Sequence, residues 1–180
     1  RTLNVGPVAF EHLLHRCGSA EAAIEALPGL ARRPVDIPTR AEAERELEAG
    51  DRIGARLILG AEDAFPPLLA ALDPPPPLIW VLGRPELLTT ACVAVVGARV
   101  ASAAGQRFAR TLATELGQAG RVVVSGMARG IDGAAHDGAL PTGTVAVLGG
   151  GVGDIYPPEH AGLHERLSVE GAIVSESPPD

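Results

Sequence analysis

From residue 91 onward, short apolar runs alternate with amphipathic stretches, and this rhythm limits the fold more than any other feature. Residues 93–96, 122–124, 144–148 and 172–175 read as strands. Residues 103–119, 132–140 and 159–170 between them read as helices. Strands that are apolar at every position need cover on both faces. Parallel neighbours need a long crossover, which the helices supply. The expected core is therefore α/β, a Rossmann-like parallel sheet with helices on both faces. In the first of these helices, Phe108, Leu112, Leu116 and Ala119 are expected to face the sheet, with Arg107, Arg110 and Gln118 turned away. Asp132 is the expected N-cap of the second. Residues 93–96 are expected to be buried, and Cys17 and Cys92 are expected to be packing residues.

The N-terminal part has a different texture. Residues 1–35 read as a small all-helical domain. Pro7 can open a helix and Gly18 can end it; Ser19 can cap a second, stopped at Pro28-Gly29. Residues 36–55 read as a linker and a charged helix, with the connector itself over 32–38. Thr39 and Glu42 form a capping box for that helix, and Gly50 is its expected stop. A second domain is expected over 56–180. It begins with a strand at 56–59, a helix at 64–72 and a strand at 78–82 that buries Trp80. The prolines at 74–77 force an extended connector before that strand.

Composition narrows the setting. No apolar run reaches the length of a membrane span, and residues 1–7 lack a signal-peptide core. The two cysteines have neither metal nor disulfide spacing, which fits a reducing, cytoplasmic location. The net charge of −7 argues against a protein that coats nucleic acid over its whole surface. Yet residues 89–140 hold five arginines against three acids, while the rest of the chain holds ten against nineteen. Every cationic side chain is arginine.

Ligands of such sheets bind beyond the carboxyl ends of the strands. Three of those ends are rich in glycine or small residues: Gly97-Ala98-Arg99, Ser125-Gly126 through Arg129-Gly130, and Gly149-Gly150-Gly151. Glycine allows close backbone approach, helix N-termini attract anions, and arginine forks match phosphate. Arg107 on the following helix and Tyr156 in the third loop are further candidates. A dinucleotide site would need G-x-G-x-x-G and a Walker loop would need lysine; neither is present. His136 has no neighbouring nucleophile and reads as structural. With no general base, nucleophile or metal cluster, the pattern favours binding over catalysis, without cofactor or metal.

Three segments in this order carry a resemblance: Val93-Ala-Val-Val-Gly-Ala-Arg99, the block Ser125-Gly-Met-Ala-Arg-Gly-Ile-Asp-Gly-Ala-Ala-His-Asp-Gly-Ala-Leu140, and Thr144 through Pro157 with its three glycines. Together they resemble the DNA-processing protein A (DprA/Smf) family, and residues 1–35 resemble its SAM-like domain. The resemblance implies a protein of bacterial natural transformation, not an enzyme. Such a protein binds and protects single-stranded DNA, helps load the RecA recombinase and is a homodimer when full length. It places DNA contacts on Gly97, Ala98 and Arg99, with Ala98 where the family has serine, and on Ser125, Gly126, Arg129 and Gly130. Members of the family continue past the segment that ends at Asp180, so a C-terminally truncated chain is expected. The rival is a nucleotide-cleaving phosphoribohydrolase of the lysine-decarboxylase-like group. Its Pro-Gly-Gly-x-Gly-Thr-x-x-Glu loop is not matched by Gly149-Gly-Gly-Val-Gly-Asp-Ile-Tyr156.

Overall fold

The structure is a computed structural model that describes residues 1–31 and 34–180. The start of the expected 32–38 connector, residues 32 and 33, lies outside the described residues. Helix α1 (Pro7–Cys17) ends on Gly18, whose φ of 83° is left-handed, and α2 (Ala20–Leu30) starts where Ser19 accepts from Ala22 N–H. Pro28 does not stop α2, which runs two residues further to Leu30 before Ala31. Helix α3 (Arg40–Ile53) opens on the expected Thr39–Glu42 capping box. It does not end at Gly50. That residue is buried inside the helix and lies flat against the Trp80 ring, where a Cβ would collide with it. The left-handed position that ends α3 is Gly54.

Six strands follow: β1 (Arg56–Leu59), β2 (Leu78–Gly83), β3 (Cys92–Ala94), β4 (Val122–Ser125), β5 (Thr144–Val147) and β6 (Ala172–Ser175). Their order is β1-β2-β6-β5-β4-β3. The four strands from β3 to β6 are parallel, as expected, but β1 and β2 pair antiparallel, so the sheet is mixed. Helices α4 (Pro67–Ala70), α5 (Ala103–Gln118), α6 (Ile131–Ala139) and α7 (Ala161–Glu170) complete the set, with short 3₁₀ turns at Pro85–Thr89, Leu140–Thr142 and Pro158–His160. The α4 segment is much shorter than the expected 64–72 helix.

Strands β3 to β6 lie side by side in chain order, so right-handed crossovers place α5, α6 and α7 on one face. There Trp80, Ala146, Leu140, Leu167 and Ile173 form one cluster, and Val95, Ala113, Val123, Ala135 and Ala139 form another. The opposite face is covered by the α4 segment and the 85–89 turn, through Phe65, Leu69, Leu87 and Leu88 packed on Ile79, Val81, Val145 and Val174. Cover on this second face thins toward the β3 edge. All three residues of β3 are exposed, and Val147 of β5 is half-exposed. The expectation of a buried strand at 93–96 therefore holds for Val95 alone; Val93, Ala94 and Val96 are exposed, and so is Cys92, which was expected to pack. An apolar edge strand with one open side cannot bury itself.

Helix α5 turns a partly different stripe to the core: Leu116 packs there as expected, but two of the other expected residues do not. Its buried residues are Ala109, Ala113 and Gly117, whereas Phe108 is 69% exposed and Ala119 is exposed. The reason is the tight approach of α5 to α6. A Cβ on Gly138 would collide with the Arg110 carbonyl, and one on Gly117 would collide with the Thr142 hydroxyl. Only small residues fit that seam, so the large ones are displaced to its flanks.

His136 of α6 is fully buried. Thr144 Oγ1 donates to Val123 O at 2.7 Å, so it must accept from His136 Nδ1 at 2.9 Å. That fixes the proton on Nδ1 and leaves the buried Nε2 without a partner among the described residues. Burial pushes the imidazole down to about 4, against the opposing pull of Asp132 and Asp137. Because the folded state resists protonation, the unfolded chain binds more protons between about pH 6.5 and 4. Stability is therefore full above pH 6.5 and falls as pH drops through that window, by roughly 3 kcal/mol in all. In His136→Asn, urea unfolding across this range should lose most of that slope. Gly138→Ala should lower unfolding free energy by about 2 kcal/mol or more in the same assay. The backbone clash outweighs the gain of about 1 kcal/mol that alanine brings to a helix.

Candidate nucleic-acid interface

The carboxyl ends of β3, β4 and β5 open onto a single cavity of about 700 Å³. Arg99 and Val100 from the β3 loop line it, with Gly126, Ala128 and Arg129 from the β4 loop. The β5 loop adds Gly149, Gly150, Asp154, Ile155, Tyr156 and Pro157. The two arginines expected to share a rim thus do so.

Asp132 holds the first two loops together. It is buried at the second position of α6, not at the cap, which is Gly130. One carboxylate oxygen accepts from Gly97 N–H at 3.3 Å and the other from Gly126 N–H at 3.1 Å. Ile131 N–H adds a bond to Ala98 O at 3.3 Å. Two glycines make this approach possible. A Cβ on Gly97 would stand 2.7 Å from Ile131, and one on Gly130, at φ 78°, would run into the Ala98 carbonyl. Gly130 is therefore a joint between loops. Ser125 lies beneath the rim: it is buried, and its hydroxyl donates to Val95 O at 2.7 Å.

Met127 was not singled out from sequence, yet it anchors the β4 loop. It is fully buried in the main core cluster, with a left-handed φ of 55°. That conformation costs about 1–2 kcal/mol in a non-glycine residue, which burial of the side chain offsets. The signal was available: a single large apolar residue inside a loop of small ones. His160 secures the same turn from outside, donating from Nδ1 to Met127 O at 3.0 Å.

In the third loop, Ser177 Oγ donates to Gly149 O at 3.0 Å and Ser175 Oγ donates to Gly150 O. These bonds fix the two peptide planes from the β6 side. Neither glycine's N–H finds an acceptor among the described residues. Asp154, also missed from sequence, accepts from Gly151 N–H at 2.8 Å and closes the turn. Tyr156 stands at the mouth, 68% exposed.

The charges divide into two kinds. Among the described residues, no carboxylate comes within ion-pair distance of Arg99. Arg129 instead faces Glu159, with Nε and Nη2 directed at the two carboxylate oxygens. Hydrogen bonding to this guanidinium holds the Glu159 carboxyl below its ordinary range, and the same contact raises Arg129. Arg107 is exposed on α5 and does not line the cavity. Among the described residues no cluster of His, Cys, Asp and Glu could hold a metal ion, and no helix is long and apolar enough to cross a membrane.

Comparison with known proteins places this geometry in a family. The pattern of the DNA recombination-mediator protein A family matches residues 56–180, and that of the DprA-like N-terminal HHH domain matches residues 1–49. The chain is 39% identical over 164 residues to a DNA processing protein DprA of Mycobacterium tuberculosis, covering 83% of this chain and 41% of that protein. It is 40% identical over 127 residues to protein Smf of Escherichia coli, covering 69% and 34%. The chain thus spans less than half the length of these relatives. The solved structure of DprA from Streptococcus pneumoniae superposes with a TM-score of 0.71 at 27% identity, over 91% of this chain and 53% of that one. DNA processing protein A from Helicobacter pylori, described for its single-stranded DNA binding mode, superposes with a TM-score of 0.59 at 31% identity, over 68% and 55%. With its sheet, its helical N-terminal domain and most of its length matched, the chain belongs to the DNA recombination-mediator protein A (DprA/Smf) family.

Proposed function

We propose that this chain binds single-stranded DNA by its sugar-phosphate backbone, in the cavity at the strand ends, and cleaves no bond. One observation supports this most: Arg99 and Arg129 reach a single cavity from two different loops, beside glycine backbone that a phosphate can approach. Phosphate contacts by guanidinium and N–H groups do not depend on sequence. The exposed ring of Tyr156 at the mouth gives an unstacked base a surface to lie on. A base in a duplex is already stacked, so the ring favours single strands. Contacts in this reading come from Arg99, Gly126, Arg129, Gly149, Gly150 and Tyr156, which line the cavity, while Gly97, Ala98 and Gly130 join the loops that carry them and Ser125 acts from below. Arg107, on the neighbouring surface, could meet only DNA that leaves the cavity. In the full-length protein the same reading extends to protection of incoming DNA in natural transformation, RecA loading, homodimerisation and a cytoplasmic location.

Titration with fluorescent oligo-dT and with an equal-length duplex, at two salt concentrations, tests the reading. Single strands should bind more tightly. Arg99→Ala should weaken binding alike for all sequences and reduce the salt slope by about 0.7. Tyr156→Ala should cost about 1–3 kcal/mol on single strands and little on duplex. Equal affinity for both DNAs, together with an inert Arg99→Ala, would reject the site.

A further inference from the structure

The proposed phosphate rim is not positive as it stands. Two guanidinium groups, Arg99 and Arg129, are matched by two carboxylates, Asp154 in the cavity wall and Glu159 at its edge. Asp154 is committed to the Gly151 N–H. Glu159 is different, because its carboxylate spans the Nε and Nη2 donors of Arg129, one of the two forked edges by which a guanidinium grips a phosphate.

We propose that Glu159 is a built-in stand-in for a DNA phosphate, which occupies Arg129 in the unbound protein and must be displaced for that arginine to engage the strand. This rests on the DNA-binding reading of the cavity and deepens it. Three observations carry it. Glu159 lies on the 158–160 turn, which His160 pins to the Met127 carbonyl of the arginine-bearing loop, so the carboxylate is kept within reach whatever the side chains do. His160 also packs against Gly133 of α6, which leaves no space between that turn and the helix. Finally, the side chains of Arg129 and Glu159 are 56% and 49% exposed. Pairs so exposed hold by no more than about fivefold in an equilibrium. The contact is therefore strong enough to neutralise the arginine and weak enough for a phosphate to replace it. While paired with Glu159, Arg129 neutralises no phosphate and so releases no counterion from the DNA until that pair opens.

The test is a cycle of wild type, Glu159→Gln, Arg129→Gln and the double variant, each checked for an unchanged melting temperature and titrated with oligo-dT at two salt concentrations. Glu159→Gln should bind about three- to fivefold more tightly at low salt, an advantage that shrinks as salt rises. Arg129→Gln should cost little in the wild-type background and several-fold in the Glu159→Gln background. Unchanged affinity and slope in Glu159→Gln would overturn the proposal. Weaker binding would overturn it too, since it would mean that the carboxylate orients Arg129 for DNA. If no folded form binds oligo-dT, the DNA reading itself fails and this inference falls with it. Wild-type binding with an inert Glu159→Gln removes only the inference.

Discussion

A buried carboxylate holds the site together. Asp132 accepts from the N–H groups of Gly97 and Gly126, which begin the two loops that carry the arginines. Charge-assisted bonds of this kind are about twice as strong as neutral ones, and the first turn of α6 favours the negative charge. With the Ile131 N–H bond to Ala98 O, that clasp joins the loops after β3 and β4, from which Arg99 and Arg129 reach one cavity. An acid in the middle of an anion site looks contradictory. It is consistent because the charge lies inside, spent on peptide dipoles, while the guanidinium groups lie outside.

Rigidity and freedom are separated in this rim. Its backbone is fixed from beneath by Met127, Ser125, Ser175 and Ser177, and from the side by His160. The groups that face solvent, namely Arg99, Arg129 and Tyr156, are long and exposed. Such an arrangement suits a flexible polyanion. Peptide groups hold constant positions, while side chains adjust to a strand whose sugar conformations vary from one nucleotide to the next.

Much of this was legible in the sequence. Gly18, Ser19 and the Thr39–Glu42 box set helix ends through local chemistry, and the strands from 122 to 175 were visible as apolar runs. The three strand-end loops were visible because glycine and arginine cluster there. What escaped depends on neighbours distant in sequence. Gly50 resembles a helix stop until Trp80 lies against it. Phe108 resembles a core residue until α6 is found too close to admit it. Asp132 has the identity of a cap, and only the third dimension shows it reaching two other loops. Glu159 gave no signal at all, since a glutamate at the start of a helix ordinarily faces water. Burial of a strand such as β3 is likewise decided by what lies beside it, not by its own residues.

The succession of β3, β4, β5 and β6 in chain order has a kinetic meaning. Each of these strands docks on the one formed a single crossover earlier, so the parallel half can grow by accretion, with modest loop closure at every step. The pairing of β2 with β6 is of another kind, because it joins segments on either side of that whole growing layer. It can form only when the last strand is in place. Trp80 and its neighbours on β2 therefore close the sheet across the greatest sequence separation of any strand pair in it.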